Sequence, residues 1–101
     1  MRIIKHLAEQ IADEVDGMLE YAKDALEWRY TDPELSKVYY ELAKVEYSHV
    51  DKLHAQVARK VEEAKKLNIQ PTQEMLDKWD EIHKDMIART AEAKSYLDMY
   101  K

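Results

Sequence analysis

The sequence predicts an all-α fold, three long antiparallel helices in one domain over residues 1–101. Three observations carry that prediction. One Gly and two Pro in the whole chain leave little to interrupt helical segments, and Ala, Glu, Lys and Leu are abundant. Apolar residues recur at alternating steps of three and four, the spacing of a helix with one face against a core. Helix-stopping chemistry is concentrated at two places, Tyr30-Thr31-Asp32-Pro33 and Asn68-Ile69-Gln70-Pro71.

The first helix is expected over about 3–30, with the seam Leu7, Ile11, Glu14, Met18, Tyr21, Ala25 and Trp28. Asp32 can cap a second helix of about 33–67, with Pro33 at its first position and Glu34 favourable in its first turn. Its seam reads Leu35, Tyr39, Leu42, Glu46, His49 and Leu53. Asn68 suits a helix stop, and Pro71 lies in the opening of a third helix of about 72–100. That helix has the seam Leu76, Trp79, His83, Met86, Thr90, Ala93, Leu97 and Tyr100. Both connections are too short for a crossover, so consecutive helices should be antiparallel neighbours.

Composition excludes several functions. The formal charge of −5 and pI near 5.4, with both signs mixed along the chain, argue against a nucleic-acid groove binder. The absence of Cys removes disulfides, thiol nucleophiles, cysteine zinc sites and iron–sulfur clusters. No apolar run approaches the roughly 20 residues of a membrane span, and Met1–His6 is too short and interrupted for a secretory signal. A soluble cytoplasmic protein is expected, with no membrane and no nucleic-acid partner.

Glu14, Glu46 and His49 stand in seam positions that should be apolar. An unpaired buried carboxylate costs several kcal/mol, so each calls for a partner. Glu46 and His49, three apart, point the same way from one helix. Glu14 lies about 17 residues before the first turn and Glu46 about 15 after it, which sets them at one height. The same arithmetic about the second turn places Glu46 and His49 opposite about positions 89–92, where the third seam holds Thr90 and Ala93. Glu92 has that height but is rotated about 100° from Ala93. One chain therefore supplies two carboxylates and an imidazole; two copies would supply the inventory of a dinuclear carboxylate site.

Other residues have two readings each. Glu14 can be a flank carboxylate paired with a Lys, and Glu46 with His49 a metal-free hydrogen-bonded pair. Tyr21 is either core or a donor that orients a ligand carboxylate. Gly17 permits close helix approach. Asp13 and Asp16 form either a solvated face or a cation approach. His54, His83 and Asp80 are a conceivable secondary site.

At these residues the chain resembles the ferritin-like superfamily, in particular its rubrerythrin-type and short encapsulated-ferritin-type members. Glu14, Gly17, Tyr21 and Ala25 match the pattern of the first bundle helix, and Glu46-x-x-His49 that of the second. Thr31-Asp32-Pro33-Glu34-Leu35 resembles the short turn of the encapsulated branch, and the likeness spans roughly residues 7–57. A full-length member has four bundle helices and a second Glu plus Glu-x-x-His set. The resemblance therefore implies a homodimer, or a higher homo-oligomer, that completes a four-helix bundle around a shared site. It implies iron, as a di-iron centre, or manganese, with Glu46 bridging, Glu14 terminal or bridging, and His49 a neutral imidazole ligand. Fe(II) oxidation by O₂ or peroxide is the implied reaction. The rival expectation is a metal-free helical interaction module, with Glu14, Glu46 and His49 as a buried network that fixes pairing.

Overall fold

Asp32 shows how the local chemistry divides the chain: its Oδ1 accepts from the Leu35 amide at 3.1 Å, with Pro33 beginning the helix behind it. The computed structural model describes residues 2–100, which form α1 (Arg2–Trp28), α2 (Pro33–Lys66) and α3 (Gln73–Met99), with no strand among them. The other turn is equally explicit. Asn68 adopts φ 55°, and the amides of Ile69 and Asn68 donate to the carbonyls of Ala64 (2.9 Å) and Lys65 (3.1 Å). This doubly bonded, left-handed stop satisfies carbonyls that the helix end would leave free. Thr72, whose hydroxyl accepts from the Met75 amide at 3.2 Å, caps α3. Pro71 thus precedes the cap and lies outside the helix.

Contacts along the helices fix their directions. Ala25 meets Ser36, Tyr21 stacks on Tyr39 and Glu14 meets His49, so α1 and α2 are antiparallel. Tyr40 stacks on Tyr100, Lys94 lies over Tyr47 and His54 stacks on His83, so α2 and α3 are antiparallel too. α1 and α3 consequently run parallel, joined by the Asp16–Arg89 ion pair and by Lys23 over Tyr96. The result is a three-helix rod of 55 × 19 × 18 Å. No helix among the described residues is long and apolar enough to cross a membrane.

The core has two parts. Leu7, Ile11, Val15, Val50 and Val57 form one cluster, with Ile4, Leu53, Val61, Trp79 and Met86 packed against it. Met18, Leu19, Ala22, Ala43 and Ala93 form the other, bounded by Tyr21, Tyr47, Tyr96 and Leu97. The buried line of α2 runs Ser36, Ala43, Val50, Val57, Ala64, one residue later than the seam expected from sequence. The reason is that α2 serves two neighbours. Tyr39, Glu46 and Leu53 border α1, whereas Tyr40, Tyr47 and His54 border α3, so the deepest line lies between them. Leu42 and His49, placed in the core by the single-seam reading, are exposed. α1 shows the same effect: Glu14 and Tyr21 lie at the margin of its buried face, and Trp28 is exposed. In α3, Ala93 is fully buried, while Leu76 is exposed.

The fully buried Ser36 hydroxyl donates to the Ala25 carbonyl in the last turn of α1. This bond fastens the end of α1 to the start of α2. Ser36→Ala should lower stability by about 1–3 kcal/mol, because the carbonyl is left buried without its donor. The exposed Ser48→Ala should leave stability nearly unchanged; urea unfolding followed by circular dichroism compares the two.

Candidate metal centre

The junction of the two core clusters is where the polar residues gather. Glu14 is bracketed on α1 by buried Ile11, Val15 and Met18, and Glu46 lies between buried Ala43 and Val50 on α2. Those apolar anchors hold the two helices at a set height and rotation. Glu14, Glu46 and His49 each present a ligand atom, and the three atoms lie within 4.8 Å of one another. Among the described residues this is the one group of three or more such side chains. His49 Nδ1 lies 3.4 Å from Glu14 Oε2 and 3.9 Å from Glu46 Oε1.

The site is at the edge of the bundle, not inside it. The side chains of Glu46, Glu14 and His49 are 20%, 32% and 45% exposed. The expectation of core positions is therefore corrected: these residues border the α1–α2 contact and open to one face. Beside them is a groove of about 440 Å³ lined by Gln10, Asp13, Glu14, His49, Lys52 and Leu53. Gln10 and Lys52 had no part in the sequence reading. Their spacing was the available signal, since Gln10 precedes Glu14 by four and Lys52 follows His49 by three.

The accessory residues separate. Tyr21 stacks on Tyr39 with centroids 6.0 Å apart, and its hydroxyl enters no hydrogen bond of the site. Asp13 is exposed on the groove, while Asp16 turns to Arg89 of α3. Glu92 is exposed and accepts from the Tyr96 hydroxyl at 3.1 Å, a bond that pushes the Tyr96 phenol above its ordinary pKa. His83 is sandwiched between His54 and Trp79, at 5.4 and 5.2 Å. Asp80 pairs with Lys84 at 2.9 Å. Asp80, His83 and His54 thus do not assemble a second cluster of donors.

The donor set suits a particular chemistry. Two carboxylates and one imidazole are hard-to-borderline ligands for Fe(II), Fe(III) or Mn(II). Donors of one first-row ion lie about 2.0–2.2 Å from it, so two of them span at most about 4.4 Å. A cluster within 4.8 Å could hold such an ion only after a small inward movement. If Glu14, Glu46 and His49 held an ion, three protein donors would leave it room for further ligands.

Because His49 is exposed and its bond to Glu14 is long, His49→Ala should change the stability of the metal-free protein by less than about 0.5 kcal/mol. Thermal melts in a chelator check this; a loss of several kcal/mol would mean that the imidazole is a core element after all.

In comparisons with known proteins, no family model matches the chain, and no curated protein or solved structure matches it.

Proposed function

We propose that this chain is half of a ferritin-like dinuclear site, completed by a second copy, and that the assembled site binds iron and oxidises Fe(II) with O₂ or peroxide. Manganese is the alternative occupant. The observation that carries this reading is the convergence of Glu14, Glu46 and His49 from two helices on an open face. Two copies joined across that face bring four carboxylates to two divalent ions, so the charges cancel. The residues around the site favour a second copy as the cover. Val38, Leu42 and Val45 are large apolar side chains left exposed, and they climb α2 at steps of four and three toward His49. A helix face with that spacing suits helix-against-helix packing.

In this reading the carboxylates offset the charge of the bound ions and His49, as a neutral imidazole, contributes a nitrogen donor. Fe(II) is the electron donor: two ions reduce one O₂ to H₂O₂, or one H₂O₂ to two waters, with protons taken from solvent. Asp13 on the groove rim adds negative charge where a cation approaches. A cytoplasmic, reducing setting belongs to the same proposal, since it keeps iron ferrous.

The rival is an interaction module without catalytic metal. The 3.4 Å contact between Glu14 and His49, in which the two side chains partner each other, favours it. In that case the network would become buried only on docking.

Stopped-flow absorbance of ferric iron after mixing with Fe(II) in air separates the readings. The wild type should oxidise Fe(II) faster than buffer, saturating near one iron per chain. His49→Ala should fall to the buffer rate, whereas Glu92→Gln and His83→Ala should stay near wild type. Equal rates in wild type and His49→Ala would favour the module. Assembly gives a separate prediction: Mn(II) should shift the sedimentation of the wild type toward dimer, and Glu46→Ala should lose that shift. A metal-loaded monomer would exclude a site shared between two chains.

A further inference from the structure

The chain has a single glycine, and it lies inside α1, where glycine is a poorer helix former than alanine. Backbone conformation does not demand it, since no glycine here has positive φ. Packing within the chain does not demand it either. A Cβ at Gly17 would meet Glu46 Oε2 at 3.7 Å, Cδ at 3.9 Å and Cγ at 4.0 Å, all ordinary van der Waals distances. Alanine would fit this structure, and the three nearest atoms would all belong to one side chain, that of a proposed ligand.

Resting on the metal-site reading above, we propose that Gly17 is a positioning residue that keeps a slot open beside Glu46, so that its carboxylate can move between two arrangements. In the arrangement seen here, Glu46 Oε1 lies 3.9 Å from His49 Nδ1. The three donors lie within 4.8 Å of one another, and drawing them to the roughly 4.4 Å that one ion allows would shift the Glu46 carboxylate. A methyl group at position 17 lies along the end of the Glu46 side chain and blocks part of the space through which it turns. Gly17 thus exchanges helix stability for freedom of a ligand, and its effect on binding acts through Glu46.

The test separates stability from binding. Gly17→Ala should raise the melting temperature of the metal-free protein, because alanine is the better helix former. The same variant should bind Mn(II), measured anaerobically by calorimetry, about tenfold more weakly than wild type, a loss near 1.4 kcal/mol. Shortening the carboxylate should remove the conflict: in a Glu46→Asp background, Gly17→Ala should have little further effect on Mn(II) affinity, a non-additivity expected only if the two residues interact. Equal Mn(II) affinity in wild type and Gly17→Ala would overturn the slot while leaving the metal site standing. Failure of the wild type to bind Mn(II) would remove the site itself. Metal-free dimerisation, followed by sedimentation, covers the other use of a small residue. If Gly17→Ala dissociates the metal-free dimer and its weaker binding disappears at protein concentrations that restore the dimer, Gly17 serves the contact between copies and the slot is wrong.

Discussion

Small side chains between α1 and α2 decide how the site can exist. Ala22, Ala25, Ser36 and Ala43 are fully buried, and the Ser36 hydroxyl binds the Ala25 carbonyl across the contact. Close approach there brings two helix surfaces near enough that residues on the margin also touch. Further along, the Glu46 side chain lies beside Gly17. Were these positions large, the helices would stand apart and Glu14 would not reach His49. On its other side α2 meets α3 through broad flat groups, Tyr40 on Tyr100 and His54 on His83. The tight side of α2 therefore hosts the cluster of donors, and the wide side hosts ring contacts.

Much of this was legible in the sequence, and the reasons differ by residue. Asp32-Pro33 announced a helix start because the side-chain cap and the fixed φ of proline act locally. Asn68 announced a stop for the same reason, its left-handed φ being one that few residues adopt readily. The shared height of Glu14 and Glu46 followed from counting residues out from a short turn, which works when helices are straight. Rotation was harder. A single seam assumes one neighbour, and α1 and α2 each have two, so the true buried lines run beside the expected ones. That misplacement put His49 and Leu42 in the core and made a surface cluster read as a buried one. Gln10 and Lys52 escaped notice because nothing in a polar residue's identity says that it borders a groove.

The corrected rotation changes the physics of the proposed function. A buried trio of Glu, Glu and His would have to be stabilised within one chain, at a cost of several kcal/mol if any member lost its partner. At the margin, water solvates the three groups until something covers them. On the proposed reading the chain would fold without an ion, and burial of charge would be deferred to assembly with a second copy. The exposed Val38, Leu42 and Val45, on the α2 face that leads to His49, would contribute apolar area for that step. Gly17 would have a place in the same scheme, as the point where the chain forgoes helix propensity beside the proposed ligand Glu46.

The central claim is a metal centre shared by two copies of the chain. Crystals grown with Fe(II) under anaerobic conditions, with anomalous scattering recorded on both sides of the iron edge, test it most directly. The account predicts two anomalous peaks per dimer, about 3.5–4 Å apart, between the Glu14, Glu46 and His49 side chains of the two copies. An absence of anomalous density at that cluster, or peaks confined to other residues, would contradict it.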